Sequence, residues 1–342
     1  MKFTFFAVFT LALLADLAAA RPTPSSQPAP QSQSTTVEKD ALPPAATLAN
    51  PDTVFAATTP TVVTDALKFA EGPLWHDGKL FVCDLSGDAV YTISRRRHDV
   101  PTTDTQLWNA PVEFRKPSGR AAGSAVDAQG RLLLAAFTGT VTRTEQDGTV
   151  STIAKETVVN GGAQPLARCN DLAVHPDGTI FFTDFGKKGS ESKGLFCIRP
   201  DGTVAALDAD YAGANGVALS PDARTLYVND YGKNLVIAYD CGAKGGVSNR
   251  RVFADLSAVK ADGRCDGLKV HPLGRVFTTG PGGIWVIAAD GKPVTRLDIE
   301  GGASNLCFGG DDGRTVFITS GNQVLSVELT PVLAPTAAPE KR

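Results

Sequence analysis

A repeated β-strand unit is the feature that most constrains the fold of this chain. Its clearest copy, Ala214–Asp240, has three short strand-like runs, with a turn at Ser220–Ala223 between the first two and a glycine turn before the third. β-Branched and aromatic residues such as Tyr227 and Val228 suit a pleated, half-buried surface, and no 3.6-residue helical period runs through the stretch. The unit therefore predicts consecutive β-strands.

Six copies of this unit set the expected architecture. They begin at Glu71, Ala122, Asn170, Ala214, Asp266 and Ser304. Spacings of about 40–50 residues are typical of one four-stranded propeller blade per repeat. Because no strong amphipathic helix separates the copies, Rossmann and TIM-barrel folds are disfavoured. The sequence predicts an all-β fold, a six-bladed β-propeller, with a seven-bladed ring as the alternative if one blade is cryptic.

The two ends of the chain differ from the repeats in composition. Residues 1–20 combine Lys2, an apolar run and small residues before a cleavage point, which predicts a signal peptide and a secreted or periplasmic protein. The alternative, a short membrane anchor, would need a run of roughly 20 apolar residues. We expect a Pro/Ala/Ser/Thr-rich linker at 21–58, the propeller at 59–330, a disordered tail at 331–342, and no membrane span after signal cleavage.

Charge and cysteine content indicate which partners and which disulfide bonds to expect. The formal net charge is −3 with both signs interspersed, which argues against a nucleic-acid partner, and the basic run Arg95–His98 is interpreted as a solvated loop. The six cysteines form neither a CxxC pair nor a disulfide framework. Cys83, Cys197 and Cys307 are predicted to be small buried residues, while a bridge between two of the six remains open. The chain could be a monomer or a dimer.

Signatures of covalent and zinc catalysis are missing from the sequence. It has no GxSxG nucleophile elbow and no His/Cys zinc pattern. Three of the four histidines, His76, His175 and His271, lie in the turns of repeat units. We interpret these three as surface turn residues.

The positions that start the innermost strands are the candidate site. Aligned on the turns they are Glu71, Ala122, Asn170, Asn215, Asp266 and Ser304, with Asn305 as the alternative to the last. Innermost strands line the channel of a propeller, so residues at one level converge. Two carboxylates would repel there, and a divalent cation would remove that repulsion. Oxygen-only ligands suit a hard ion such as Ca²⁺, although each residue alone could simply be part of a turn.

Several stretches resemble the SMP-30/gluconolactonase/regucalcin family over residues 62–329. The most specific are Ala70–Trp75, Arg168–Asp171, Ala214–Gly216, Ser220–Asp222 and Cys265–Gly267. The resemblance implies one divalent cation in the channel of a six-bladed propeller. It implies ligation by Glu71, Asn215 and Asp266, with Asn170 close by or bonding through water. Ca²⁺ is the expected ion, with Zn²⁺, Mn²⁺ or Mg²⁺ as alternatives.

The same resemblance implies hydrolysis of a small-molecule lactone such as gluconolactone to the aldonic acid. Asp266 would be the acid/base residue, and Arg168 and Asn170 would contact the substrate. Two stretches depart from the family pattern and bear on the identity of the substrate. Many relatives have Asn-Gly where this chain has Ala122-Gly123, and bacterial relatives often have Pro-rich turns where it has Phe185–Lys188. The alternatives are a phosphotriesterase or arylesterase on the same scaffold, and a non-enzymatic binding propeller that the metal stabilises.

Overall fold

The computed structural model describes residues 54–96, 107–159, 161–189 and 193–331. Regular structure in these ranges is almost entirely β-strand, with a short 3-10 helix at Ala243–Gly245. Across the same ranges, no helix has the length and apolar character needed to cross a membrane. The expected signal peptide, most of the expected linker and nearly all of the expected tail lie outside the described residues and stay predictions.

The described strands form six four-stranded antiparallel sheets, one per predicted blade. Strand β1 (Thr61–Thr64) belongs to the last of them. Blade 1 comprises β2 (Ala70–His76), β3 (Lys79–Asp84), β4 (Ala89–Ser94) and β5 (Val112–Arg115). Blade 2 comprises β6 (Ala121–Val126), β7 (Leu132–Ala136), β8 (Thr140–Thr144) and β9 (Val150–Ala154). A hairpin of β10 (Glu156–Val159) and β11 (Gly162–Pro165) then leads to blade 3.

The other four blades repeat the same order of strands. Blade 3 comprises β12 (Cys169–Val174), β13 (Ile180–Asp184), β14 (Gly194–Ile198) and β15 (Val204–Asp208). Blade 4 comprises β16 (Ala214–Leu219), β17 (Thr225–Asp230), β18 (Leu235–Cys241) and β19 (Val247–Asp255). Blade 5 comprises β20 (Leu268–Val270), β21 (Val276–Gly280), β22 (Gly283–Ile287) and β23 (Pro293–Asp298). Blade 6 comprises β24 (Asn305–Gly309), β25 (Thr315–Ser320), β26 (Gln323–Glu328) and the early strand β1.

The innermost strands form a closed circuit. In ring order they are β2, β6, β12, β16, β20 and β24, and β24 packs against β2. The ring closes because β1 adds to the outer side of blade 6 by pairing antiparallel with β26. The predicted all-β, six-bladed propeller is thus confirmed, and radial packing of the blades leaves only short, protected sheet edges.

The packed region starts before the expected boundary at residue 59. Phe55 forms a bridge with Leu329 and is fully buried. Its ring meets Phe277 edge to face at a centroid separation of 6.0 Å. Val54 joins the same apolar cluster. Composition alone assigns Val54 and Phe55 to the linker, because two apolar residues beside a Pro/Ala-rich segment are too few to show the alternation of a β-strand.

Apolar clusters fill the spaces between neighbouring blades. One cluster joins Phe181 of blade 3 to Val228 and Ile237 of blade 4, all fully buried. Burial of side chains of this size contributes roughly 1.5–3 kcal/mol each. The expected burial of Cys83, Cys197 and Cys307 is confirmed, and all six cysteines are free thiols. The core therefore consists of blade-to-blade contacts, with the polar channel left at the centre.

Glycine allows the innermost strands to approach each other closely. Gly216 of β16 donates its N–H to the carbonyl oxygen of Asp266 at 2.8 Å. A Cβ atom at Gly216 would lie 2.5 Å from that same oxygen, closer than a side chain tolerates. The β16–β17 register also shifts between Ala214 and Val217, so the strand bulges where Asn215 faces the channel.

Candidate active site

The six predicted strand-start positions lie at one level of the channel. The Gly216 N–H bonds the Asp266 carbonyl, and the Gly267 N–H bonds the Ser304 carbonyl in the same way, each at 2.8 Å. Ser304 is therefore the equivalent of Asp266 in blade 6, which settles the open choice between Ser304 and Asn305. The Ser304 hydroxyl donates to the Ala70 carbonyl at 2.9 Å and so links blade 6 to blade 1.

The two predicted carboxyl groups influence each other electrostatically. Glu71 is 5% exposed and Asp266 is half-buried. Burial raises the pKa of Glu71 well above its usual range, and the charge of Asp266 raises it further. Burial also raises the pKa of Asp266 to about 8, against the opposing hydrogen bond from Asn215. A positive charge bound next to the two carboxyl groups would let both ionise at neutral pH.

Asn215 supplies a polar atom without a partner. The residue is 3% exposed, and its Oδ1 atom has no hydrogen-bond partner among the described residues. Leaving a buried carbonyl oxygen unpaired costs about 1–3 kcal/mol. The same carboxamide lowers the pKa of Asp266 and so lies close to that carboxyl group. The unpaired oxygen thus lies next to a carboxyl group whose ionised form is unfavourable. A bound cation would pair with the oxygen and stabilise the ionised carboxylate.

Asp171 is a third acidic group at this site, and the sequence reasoning missed it. Its side chain is only 1% exposed, and its charge raises the pKa of both Glu71 and Asp266. Asp171 Oδ2 accepts from Lys269 Nζ at 3.2 Å across the channel, and Oδ1 accepts from the Leu172 N–H at 2.9 Å. Lys269 is therefore the cation that compensates Asp171.

A departure from the repeat could have indicated Asp171. The residue that follows each site position is glycine in four blades, and it is Asp171 and Asn305 in the other two. Both exceptions contact the site. Asn305 Nδ2 lies 3.5 Å from Glu71 Oε2, and the Gly72 N–H donates to the same oxygen at 3.1 Å.

The remaining predicted site residues differ in their exposure. Asn170 is buried within the irregular stretch of β12 between Cys169 and Leu172. Arg168 is exposed, and its guanidinium carbon lies 5.9 Å above the ring centroid of Phe137. Arg168 directly precedes β12 and is exposed, so it lies at the mouth of the channel where the innermost strands begin, while Asn170 is buried inside.

One histidine departs from its predicted environment. His271 is fully buried, and its ring centroid lies 5.2 Å from that of Phe308 and 6.1 Å from that of Phe277. The interpretation of His271 as a surface turn residue is therefore wrong, because side chains from β21 and β24 cover its turn. His175 Nδ1 lies 2.8 Å from the Asp177 carboxylate within its own turn.

The donor set of the site consists of carboxylates and amides. Among the described residues, no group of three or more His, Cys, Asp or Glu side chains is placed to hold a metal ion. A cation here would therefore need amide oxygen as well as the two carboxylates. Glu71, Asp266 and the unpaired Asn215 oxygen fit that description, and such hard oxygen donors are the ligands of Ca²⁺ and Mg²⁺.

Comparisons with known proteins find relatives that align with most of the chain. Gluconolactonase from Zymomonas mobilis is 27% identical over 304 residues, covering 81% of this chain and 83% of the relative. Pentonolactonase XacC from Haloferax volcanii is 26% identical, covering 77% of this chain and 85% of the relative. The solved gluconolactonase from Xanthomonas campestris superposes with a TM-score of 0.65 at 26% identity, covering 79% and 89% of the two chains.

A family description matches the whole blade region. The SMP-30/Gluconolactonase/LRE-like region is matched from residue 69 to residue 322, which spans all six innermost strands and every predicted site residue. The chain therefore belongs to the SMP-30/gluconolactonase/LRE-like family.

Proposed function

We propose that this protein is a metal-dependent lactonase that hydrolyses a sugar lactone to the aldonic acid. The observation that carries the proposal is the unpaired Oδ1 of Asn215 beside two carboxyl groups, Glu71 and Asp266, whose pKa values are raised. Two relatives that align with most of the chain are named gluconolactonase and pentonolactonase, which supports a sugar lactone as the substrate class.

The residues that would hold the cation are Glu71, Asn215 and Asp266, with Asn170 as a further donor. Ca²⁺ is the ion that we propose, and Zn²⁺, Mn²⁺ or Mg²⁺ are alternatives. When bound, a divalent cation supplies Lewis-acid polarisation of a carbonyl group. Binding it would require Asp266 to release its proton, because burial holds the pKa of Asp266 at about 8.

Asp266 is the acid/base residue in this proposal. Only Asp266 and Glu71 among the four proposed ligands can carry a proton, because a carboxamide does not titrate. A raised pKa near the working pH suits a group that must both accept and return a proton. Asp266 would take the proton from the attacking water and return one to the ring oxygen as the ester bond breaks.

Arg168 would bind the substrate at the mouth of the channel. Its guanidinium group is exposed above Phe137 and always carries a positive charge. A fixed cation near the carbonyl would stabilise negative charge that develops on oxygen during attack. The peptide N–H of Arg168 donates to Asp184 Oδ1 at 2.9 Å, so the backbone that carries this side chain is fixed.

A substrate panel tests the proposed function. We expect the pure protein, supplied with Ca²⁺, to hydrolyse gluconolactone and a pentonolactone faster than a phosphotriester or an aryl ester. Initial rates should be measured above the spontaneous hydrolysis of each compound. Faster turnover of the phosphotriester or aryl ester would favour the esterase alternative. No turnover of any compound by protein that contains the cation would contradict an enzymatic role.

A further inference from the structure

Three arginines occupy the same repeat position at the mouth of the channel. Arg120, Arg168 and Arg264 each lie two residues before the site position of their blade, in blades 2, 3 and 5. All three residues are exposed. The equivalent residues of the other blades are Phe69, Gly213 and Gly302. The repeat therefore places three positive charges around one opening, above the acidic groups of the site.

Polar contacts fix the backbone at all three positions. The Arg120 N–H donates to Asp88 Oδ1 at 2.7 Å, and the Arg168 N–H donates to Asp184 Oδ1 at 2.9 Å. The Arg264 carbonyl accepts from the Thr279 hydroxyl at 2.9 Å. Since the backbones are held in place, the three side chains start from defined points on the rim.

The three guanidinium groups also lack acidic partners. Within the described ranges, none of them forms an ion pair with a carboxylate. Six of the other twelve described arginines do so at 2.6–2.9 Å, namely Arg131, Arg143, Arg250, Arg251, Arg296 and Arg314. The charge of the three arginines at the mouth is therefore available to a ligand.

The backbone of Arg120 has a conformation that is unfavourable for a residue with a side chain. Its φ is +58°, in the left-handed region that favours glycine. Glycine would adopt this conformation without strain, as the equivalent Gly302 of blade 6 does with a φ of +83°. The side chain makes no ion pair that would offset the strain within the described structure. A role towards a ligand at the mouth explains why an arginine stands there.

Aromatic rings lie beside these charges. Phe137, Phe185 and Tyr231 donate their N–H groups to the carbonyls of Arg120, Arg168 and the equivalent Gly213 at 3.0, 2.9 and 2.8 Å. The rings of Phe185 and Tyr231 meet edge to face at 5.5 Å. Burial raises the pKa of Tyr231, the charge of Asp266 raises it further, and Arg264 lowers it. Tyr231 is thus close to both the site and the rim.

We propose that Arg120, Arg168 and Arg264 form a cationic rim that selects lactones carrying an anionic substituent, a carboxylate or a phosphate, over neutral lactones. This inference rests on the proposed lactonase function. The aromatic rings offer flat apolar surface to the lactone ring, and the arginines pair with the anionic group. The rim also adds positive charge around the mouth of the channel, which favours the approach of an anion.

The turnover test compares matched substrates and matched variants. Rates should be measured for gluconolactone, 6-phosphogluconolactone and saccharic acid 1,4-lactone, so that phosphate and carboxylate are distinguished. We expect wild-type kcat/KM to be higher for at least one anionic lactone than for gluconolactone. In the variant R120Q/R264Q the anionic-to-neutral ratio should fall about tenfold, and the wild-type preference should weaken with added salt.

Arg224→Gln is the matched control, because Arg224 is an exposed arginine in the turn that follows β16, at the opposite end of the innermost strands. It removes one positive charge away from the rim and should leave the ratio unchanged. Thermal unfolding should confirm that all variants fold. A ratio that stays constant in R120Q/R264Q, or that falls equally in Arg224→Gln, would overturn the selective rim while leaving lactone hydrolysis intact.

Equilibrium binding keeps the inference testable even if no lactone is hydrolysed. Calorimetry should show tighter binding of 6-phosphogluconate or saccharate than of gluconate, because each adds an anionic group. That advantage should be lost in R120Q/R264Q and kept in Arg224→Gln. Equal affinity of the wild type for all three acids would overturn the proposal, whatever the outcome of the turnover measurements.

Discussion

The substitution Asp266→Asn is expected to lower kcat on gluconolactone by about 10²–10⁴-fold, even at saturating Ca²⁺. Asparagine keeps an oxygen donor and nearly the same volume, so the cation should bind more weakly but still bind. It cannot carry the proton that the proposed mechanism moves. The measurement is kcat across a Ca²⁺ titration, with metal content determined separately.

Asn215→Ala is the control for that prediction. It deletes the unpaired oxygen and leaves Asp266 in place. Its activity should be low at limiting Ca²⁺ and recover in part as Ca²⁺ is raised, because only a ligand is missing. If Asp266→Asn behaves in the same way and regains nearly the full wild-type kcat, then Asp266 is a ligand without an acid/base role.

The second large effect is expected on stability. Lys269→Met should lower the free energy of unfolding by about 3–5 kcal/mol, because it leaves the buried Asp171 carboxylate without its cation. Methionine retains much of the apolar stem of lysine, so the change mainly removes charge. Urea denaturation in the same Ca²⁺-containing buffer measures the difference.

Two further variants make this prediction specific. Lys292→Met removes a lysine that is 80% exposed and pairs with Asp290 at 3.7 Å, so its cost should be within about 1 kcal/mol. The double variant Lys269→Met/Asp171→Asn should regain much of the lost stability, because it also removes the uncompensated charge. Equal costs for Lys269→Met and Lys292→Met would mean that the channel ion pair is no more important than a surface pair.

Local repetition explains why the fold was predictable from the sequence. Each blade carries its own strand pattern and turn, as in Ala214–Asp240, so six copies imply six sheets without knowledge of long-range contacts. The closure of the ring was not predictable in this way. The pairing of β1 with β26 joins segments some 260 residues apart, and a four-residue strand has no distinctive pattern.

The candidate site was predictable in part for the same reason. Glu71, Asn170, Asn215 and Asp266 occupy one repeat position, and the structure places that position at one level. Asp171 follows a site residue, and strict strand alternation would turn it away from the channel. The irregular stretch between Cys169 and Leu172 breaks that alternation, which only the pairing of β12 with β13 shows.

Burial of single residues depended on neighbours that are distant in sequence. His175 and His271 begin nearly identical turns, His-Pro-Asp-Gly and His-Pro-Leu-Gly. Only His271 is fully buried, because Phe308 from the next blade and Phe277 pack on it. The two turns differ only at Asp177 and Leu273, and the burial of His271 comes from the contact between blades 5 and 6.

Removal and return of the cation test the central claim most directly. The claim is that the channel cluster of Glu71, Asn215 and Asp266 holds a divalent cation that lactone hydrolysis needs. The protein should be treated with chelator, dialysed, and assayed on gluconolactone while Ca²⁺ is added back and bound metal is counted. We predict loss of turnover in the metal-free protein and recovery as one cation binds per chain. Full turnover by protein shown to be metal-free would contradict the claim.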